Sequence, residues 1–162
     1  MKPTLAELMD QLPQTGRVTW IGLRPEKYAT MTQVAEAEVS SAGGLHGDRY
    51  SKQAGKRQVT LIQAEHIQAM SAMYGSDIEP DQLRRNLVIE GINLLALKGR
   101  LFQVGGVLLE WTAPCHPCSR MEEVLGPGGY NLMRGHGGIC ARVVEGGTLR
   151  VGDLLTDAGV IT

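Results

Sequence analysis

The chain has 162 residues, with 16 Lys and Arg against 17 Asp and Glu, and only three cysteines. A chain of this length is expected to fold as one domain, residues 1–162, that buries a core without disulfides or a structural metal. The balanced charge argues against a nucleic-acid-binding or membrane-surface protein. Few cysteines, short apolar runs and an acidic N-terminal stretch unlike a signal peptide together predict a reduced, cytoplasmic setting.

The first part of the chain predicts one short helix followed by strands. Apolar residues recur at helical spacing over residues 4–12, and Pro13 ends that helix. Residues 42–50 form a glycine-bearing loop that carries both acidic and basic side chains. Alternating or continuous apolar patterns predict strands at residues 16–22, 33–40 and 56–62.

The second part predicts one more helix before the central loop, and further strands. Periodicity predicts a helix over Ala64–Tyr74, with Gly75 as its stop. The 21 glycines indicate many tight turns. Further strands are predicted at residues 87–89 and 139–144, and residues 102–109 and 149–155 are each predicted as a strand, a glycine turn and a second strand. Because the strands lack regular helical crossovers, we expect a mainly β fold, a β-barrel with a few short helices.

A CHPC loop at residues 115–118 is the feature around which the rest is organised. It lies within EWTAPCHPCSRMEE, residues 110–123. Ser119 and Glu122 match the S-x-x-E capping pattern, which predicts a helix start directly after the loop. Cys118 therefore precedes a helix N-terminus, where the helix dipole and nearby cations favour the thiolate. A thiolate is a nucleophile or a soft metal ligand, so Cys118 is the predicted reactive centre.

Three other interpretations of the loop stay open. The spacing of Cys115 and Cys118 is that of a dithiol redox site, although the residues that follow do not look like a thioredoxin framework. The loop can also be a structural turn with incidental thiols. A zinc site has a good half-site in C-x-x-C but a poor second half, and it would use Cys115, Cys118, Cys140 and His136.

Cations recur beside the predicted strand ends. Because a barrel gathers strand ends around one mouth, they are predicted to form an anion-binding rim. The planar guanidinium suits phosphate, and neighbouring glycines let backbone N–H groups approach it. Taken singly, each is better explained as part of a turn or as a solvated charge than as a binding residue. The cations are Arg49, Lys56, Arg57, Arg84 and Arg85.

Six segments together resemble MOSC domains, which are related to the C-terminal region of molybdenum cofactor sulfurase. They occur in the family's order and spacing, and the resemblance is greatest to small stand-alone bacterial members. It covers about residues 16–156 and leaves residues 1–15 as an N-terminal helix and lead-in. The segments are HGDRY (46–50), KRQVTLI (56–62), LRRNLVIEGI (83–92), LFQVGGVLLE (101–110), PCSRME (117–122) and GICARVVEGGTLRVGDLL (138–155).

This resemblance implies a pyruvate-kinase-barrel-like β-barrel that holds the molybdenum cofactor, molybdopterin. The family cysteine, a molybdenum ligand or persulfide carrier, matches Cys118, which is therefore predicted as both catalytic and metal-binding. Pyridoxal phosphate is not expected. Larger relatives add an N-terminal domain that completes the pocket, and this chain is expected to lack it. The predicted cofactor-binding residues are Gly47, Asp48, Arg49, Arg57, Arg84, Arg85, Asn86 and His116.

Two functions follow from the resemblance. One is a molybdenum-dependent reductase of N-hydroxylated compounds, supplied by an electron-donor redox protein and acting on a small-molecule substrate. The other is a carrier of sulfur, as a Cys118 persulfide, or of cofactor, supplied by a donor protein and without small-substrate turnover. A dithiol redox protein using Cys115 and Cys118 is a third alternative. Neither nucleic acid nor a membrane is an expected partner.

Overall fold

The computed structural model describes residues 1–51 and 55–162 of the chain. Within these ranges the α-helices are α1 (Leu5–Met9), α2 (Ala64–Tyr74), α3 (Ser119–Leu125) and α4 (Gly129–Met133). The strands are β1 (Gly16–Leu23), β2 (Thr32–Val34), β3 (Glu36–Ser40), β4 (Gly44–Leu45), β5 (Val59–Gln63), β6 (Leu87–Glu90), β7 (Arg100–Val104), β8 (Val107–Pro114), β9 (Ile139–Glu145), β10 (Gly147–Arg150) and β11 (Leu154–Val160). Short 3-10 helices cover Pro80–Leu83 and Leu94–Leu97.

Seven strands close into a barrel in the order β11, β7, β8, β9, β5, β6, β1. The barrel closes where Gly16 and Arg17 of β1 pair with Leu155 and Leu154 of β11. Neighbouring barrel strands are antiparallel except β5 and β6, which are parallel. β2 pairs with the C-terminal part of β1, and β10, β3 and β4 form a separate small sheet. The predicted mainly β barrel with a few short helices is confirmed.

The barrel is packed on both its inner and its outer face. Alternate residues point inward, as Leu61 of β5 and Phe102 of β7 do, and both are fully buried. The next residue of β5, Ile62, points outward and packs in a second apolar cluster that includes Met70 of α2 and Met121 of α3. Helices thus cover the outside of β5, which explains why its sequence is continuously apolar rather than alternating.

Two element predictions were wrong in detail. The single strand predicted at residues 33–40 is two strands, because the chain bends at Ala35. β2 before the bend pairs with β1, whereas β3 after it pairs with β10 in the small sheet. An alternating pattern does not reveal that two halves of a segment join different sheets. The N-terminal helix is only Leu5–Met9, is capped by Thr4 and Glu7, and buries none of its residues. None of the helices in the described ranges is long and apolar enough to cross a membrane.

The predicted capping box at the start of α3 was also wrong. The helix begins at Ser119, but its N-cap is Cys118, and no side chain caps it. Glu122 instead accepts hydrogen bonds from the backbone N–H groups of Gly128 and Gly129, the latter at 3.1 Å. Its carboxylate therefore joins α3 to the start of α4 instead of capping its own helix.

Candidate functional site

A cationic pocket of about 240 Å³ surrounds Cys118. The loops that build it follow β1, β4 and β8 and precede β5 and β6. Its charged lining consists of seven cations, and no Asp or Glu among the described residues lines it. Among the described residues only two of these cations, Arg24 and Arg120, pair with carboxylates, so the remaining concentration of positive charge favours an anionic ligand. The cations are Arg24, Lys27, Arg49, Arg57, Arg84, Arg85 and Arg120; Tyr28, Tyr50, Ser119 and Met121 complete the lining with Cys118.

Cys118 presents a free thiol to this pocket. The residue is exposed and forms no disulfide. It has extended backbone geometry at the N-cap of α3, with φ −129° and ψ 177°, and its side chain makes no capping hydrogen bond. The sulfur is therefore available to a ligand rather than committed to the protein's own backbone.

A buried ion pair beneath the pocket fixes the first of the cations. Arg24 and Asp48 are 4% and 3% exposed, and their bidentate contact has nitrogen–oxygen distances of 3.1 and 3.0 Å. The Asp48 carboxylate also accepts the backbone N–H of Arg24 at 2.7 Å and that of Tyr50 at 3.2 Å. Asp48 therefore holds both the turn after β1 and the loop after β4 in place.

Asn86, the residue directly before β6, completes this network. Its side-chain oxygen accepts hydrogen bonds from Arg24 and from the backbone N–H and hydroxyl of Thr60, all at 3.0 Å. Its amide nitrogen donates to Asp48 and to the carbonyl of Gly22, also at 3.0 Å. Because Asn86 is fully buried, it positions Arg24 and the loop of Asp48 rather than lining the pocket itself.

Arg84 stands at the pocket in a strained conformation. It ends the 3-10 helix Pro80–Leu83 with φ +61°, a left-handed geometry that a residue with a Cβ adopts at a cost of about 1 kcal/mol. Its guanidinium donates to the carbonyl of Ala29 and to that of Glu26, the latter at 3.3 Å. Burial, and then the charges of Arg120 and Arg24, lower the pKa of Arg84, which reflects the crowding of cations here.

Arg85 supports the CHPC loop from below. It is 4% exposed and donates to four carbonyl groups. Two of them belong to Cys115 and His116, at 3.0 and 3.3 Å, and a third belongs to Gly137 at 2.8 Å. Its hydrogen bonds are thus satisfied by neutral partners, while its positive charge still adds to the field in the pocket.

Two tyrosine rings hold the pocket cations together. The guanidinium carbons of Arg24, Arg49 and Arg57 lie 4.8, 4.8 and 5.8 Å from the ring centroid of Tyr50. On the other side, Lys27 and Arg120 lie 5.2 and 4.9 Å from the ring centroid of Tyr28. Contacts with ring faces attract cations without neutralising them, so the pocket keeps its charge for a ligand.

Arg120 leaves one buried donor unused. Its Nη1 reaches Glu123 at 3.3 Å, but its Nε is buried and has no hydrogen-bond partner in the described part of the chain. An unpaired buried N–H is costly and rare in folded proteins.

The remaining predicted residues lie apart from the pocket. Gly47, with φ +91°, lines a neighbouring glycine-rich cavity, and Lys56 does not line the pocket. His116 lies in the CHPC loop but lines a different cavity on the loop's other side. The residues considered for zinc, Cys115, Cys118, Cys140 and His136, form no site, because the described ranges hold no metal-binding group of three or more His, Cys, Asp or Glu.

Arg24 and Lys27 were missed by the sequence analysis. Both lie in the RPEK segment directly after β1, another strand end that carries cations. The rule that predicted Arg49 and Arg84 applies equally to this segment. Which strand ends meet depends on β1 pairing with β6, where Ile21 lies opposite Leu87, and no local pattern reveals that pairing.

Cys115, for which the sequence predicted no role outside the dithiol and zinc alternatives, is the thiol with a depressed pKa. It is 3% exposed and free. A hydrogen bond from the Cys140 thiol, and the nearby charges of Arg85 and Arg57, lower its pKa to about 5. The same pairing raises the pKa of Cys140.

The comparisons with known proteins agree with this architecture. The MOSC domain model matches residues 40–156, well over half of the chain. None of the curated proteins compared with the chain matches it.

Solved structures share the fold at low sequence identity. The YuaD protein from Bacillus subtilis is 20% identical with a TM-score of 0.77, over 90% of this chain and 97% of that one. YiiM from Geobacillus stearothermophilus is 19% identical with a TM-score of 0.71, over 88% of this chain and 75% of that one. YiiM from Escherichia coli is 19% identical with a TM-score of 0.70, over 90% and 71%.

Proposed function

The chain belongs to the MOSC domain family, which is associated with molybdenum cofactor binding, and from that premise we propose that the Cys118 pocket holds the cofactor by its metal and its phosphate. One observation carries the proposal: seven cations and no carboxylate, among the described residues, surround an exposed free thiol. Soft thiolate sulfur suits a molybdenum centre, and guanidinium groups suit a phosphate.

The residues of the pocket fit this cargo in separate roles. Cys118 would supply the metal ligand, since its sulfur has no other partner in the described structure. Arg84, Arg49 and Arg120 would bind the phosphate, because all three line the pocket and carry a planar guanidinium. Asp48 and Asn86 would not bind the cofactor directly; they would position Arg24 and the pocket loops from beneath.

With the cofactor bound, the site would reduce N-hydroxylated compounds. The cofactor supplies two-electron redox chemistry when bound. The overall change is R–NHOH + 2 e⁻ + 2 H⁺ → R–NH₂ + H₂O, with the electrons coming from a separate redox protein. Lys27, Tyr28 and Tyr50 line the pocket and carry exchangeable protons that such a reaction consumes.

A second candidate is a carrier that holds sulfur on Cys118. The exposure of Cys118 favours it, because a donor protein's persulfide can reach the thiol directly. In that case Cys118–S⁻ takes the outer sulfur of R–S–SH and releases R–SH, leaving a persulfide anion that the surrounding cations stabilise. No small substrate is then turned over.

The test compares cofactor loading and turnover in four single variants. Cys118→Ser removes the soft ligand at nearly constant size and should abolish reduction of an amidoxime with reduced methyl viologen as electron donor. Arg84→Ala should weaken loading by about ten- to a hundredfold, the ~1.5–3 kcal/mol of a charge-assisted hydrogen bond. The matched controls, Cys115→Ser and the exposed Arg134→Ala outside the pocket, should change little.

Two outcomes would contradict this proposal, and each would support a different function. If Cys115→Ser is as damaging as Cys118→Ser, the centre is a dithiol redox site. If molybdenum never binds but Cys118 gains one sulfur atom from a persulfide donor, measured by intact mass, the carrier function is correct.

A further inference from the structure

The loop that joins β1 to β2 borders the Cys118 pocket, and we call its middle part, residues 25–30, the strap. Lys27 and Tyr28 of the strap line the Cys118 pocket. Pro25 lines the neighbouring glycine-rich cavity, which has a volume of about 870 Å³, and Arg49 lines both spaces. The strap therefore lies on the border between the cationic pocket and the larger cavity.

The strap is anchored at its ends and exposed in its middle. Arg24 before it and Met31 after it are 4% and 7% exposed, whereas Tyr28 is 60% exposed. In the described part of the chain, the strap has one backbone hydrogen bond, and it is internal, from the N–H of Ala29 to the carbonyl of Glu26 at 3.3 Å. A segment that is not tied to the barrel by its backbone can open locally at low cost.

Two arginines of the pocket hold the strap by their side chains. One terminal nitrogen of Arg84 donates to the carbonyl of Ala29, and the other donates to that of Glu26 at 3.3 Å. The guanidinium carbon of Arg120 lies 4.9 Å from the ring centroid of Tyr28. No ion pair in the described chain involves a strap residue. The strap is therefore attached through cations that the proposed function assigns to phosphate binding.

The backbone is strained on both sides of this contact. Among the described residues, the non-glycine residues with positive φ are Tyr28, at +66°, and Arg84, at +61°. Left-handed geometry is unfavourable for a residue with a Cβ, and such residues concentrate at ligand clamps and switch regions. Release of the strap would let Tyr28 return to ordinary backbone geometry.

The pocket as it stands is small, and its best oxyanion donor is occupied. Its volume of about 240 Å³ lies below the roughly 300–1,000 Å³ of pockets that hold small molecules. The strap carbonyls take up the fork formed by the two terminal nitrogens of Arg84, the geometry that suits a phosphate. An oxyanion carries a full negative charge where a carbonyl carries a partial one, so it competes effectively for this fork.

We propose that the strap is a lid that Arg84 holds at the pocket in the free protein, and that an oxyanion which takes the Arg84 fork releases it. Opening would join the Cys118 pocket to the glycine-rich cavity and make room for a ligand larger than its phosphate. The proposal rests on the proposed function only in taking an anion as the ligand of the pocket. It involves neither molybdenum nor turnover.

The test uses inorganic phosphate and the endoproteinase Lys-C, which cleaves after Lys27, the lysine of the strap. Phosphate at a concentration that saturates binding in calorimetry should raise the rate of cleavage after Lys27 at least about threefold, because cleavage tracks the population of the open strap. Sodium chloride at matched ionic strength should not. Cleavage after Lys98, which is exposed and outside the Cys118 pocket, reports general opening of the fold and should stay constant.

Arg84→Gly separates the fork from the fold. Glycine adopts the left-handed geometry of this position freely, so the variant should remain folded by circular dichroism while it loses the guanidinium. Cleavage after Lys27 should then be at least about fivefold faster than in the unmodified protein without phosphate, and phosphate should add little. The matched control, Arg134→Ala, removes an exposed arginine outside the pocket and should leave both rates unchanged.

Several outcomes would overturn the strap proposal while leaving cofactor binding intact. Phosphate that protects Lys27 would show that the strap closes on the anion. An unchanged rate with phosphate bound, or slow cleavage in folded Arg84→Gly, would show that Arg84 does not hold the strap. Absence of phosphate binding would contradict both the release and the phosphate contacts of the cofactor. If the cofactor never loads but phosphate still speeds cleavage after Lys27, only the proposed function fails.

Discussion

Asp48 is the residue on which the arrangement of the pocket cations depends most. It is nearly inaccessible and pairs with Arg24, which is also buried. We predict that Asp48→Ala lowers the unfolding free energy by about 3–5 kcal/mol, because it leaves the Arg24 charge buried without a partner. Asp48→Asn, which keeps the shape and one acceptor oxygen, should be less damaging. Denaturant unfolding followed by circular dichroism measures both.

The matched control for Asp48 is an exposed ion pair on the small sheet of β10, β3 and β4. Glu36 and Arg150 lie 3.1 Å apart with both side chains 61% exposed, so Glu36→Ala should change stability by less than about 1 kcal/mol. Equal losses of unfolding free energy in Asp48→Ala and Glu36→Ala would contradict the view that the buried Arg24–Asp48 pair stabilises the fold more than an exposed pair does.

At the residue scale, the sequence identified the side chains that belong to the site but not which of them are exposed to the pocket. Cys118, Arg49, Arg57 and Arg84 were predicted, and they meet at one pocket. Asp48 and Asn86 were predicted beside them as cofactor contacts, yet their side chains are buried beneath the pocket and hold other residues. A motif shows which residues belong to one site. How deeply each side chain is buried depends on packing, which the motif does not encode.

At the element scale, the junction between α3 and α4 rests on Glu122. Its carboxylate accepts from the backbone N–H groups of Gly128 and Gly129, the second of which also donates to the carbonyl of Gly126 at 2.9 Å. We predict that Glu122→Ala lowers the unfolding free energy by about 1–2 kcal/mol, in the range of a lost cap. Glu122→Gln should recover part of this stability, because the amide oxygen can still accept.

Glu123 provides the comparison for this prediction. It is 58% exposed and pairs with Arg120 at 3.3 Å on the same helix, so Glu123→Ala should change stability by about 0.5 kcal/mol or less. The thermal midpoint of unfolding, measured by calorimetry, compares the variants. A Glu123→Ala loss as large as that of Glu122→Ala would argue that Glu122 acts only through surface charge.

Helices and strands were predicted correctly where the local sequence pattern is typical of only one kind of element. β1 and α2 were predicted within a residue, because an alternating run and a periodic run ending at glycine each have a single simple explanation. α4 was missed, since its five residues follow consecutive glycines and carry almost no periodicity. The split between β2 and β3 was missed because the pattern continues while the partner strand changes.

At the scale of the whole molecule, barrel closure is what creates the site. β1 pairs with β6 on one side and with β11 on the other, and this brings the segments after β1 and before β6 to the loop that follows β8. The sequence predicted that strand ends would gather cations at one mouth. It did not predict that the CHPC loop borders two cavities, the cationic Cys118 pocket and a second one lined by His116, because that depends on the register of β8 and β9.

The central claim is that Cys118 supplies the protein ligand to molybdenum, and X-ray absorption at the molybdenum edge tests it most directly. Protein loaded with the cofactor should show a sulfur shell that loses one scatterer in Cys118→Ser, while the phosphate contacts of the pocket cations still retain cofactor. Cys115→Ser should leave the sulfur shell unchanged, because the Cys115 thiol is buried and already accepts a hydrogen bond from Arg57. An unchanged shell in Cys118→Ser, or the loss of a sulfur in Cys115→Ser, would contradict the assignment.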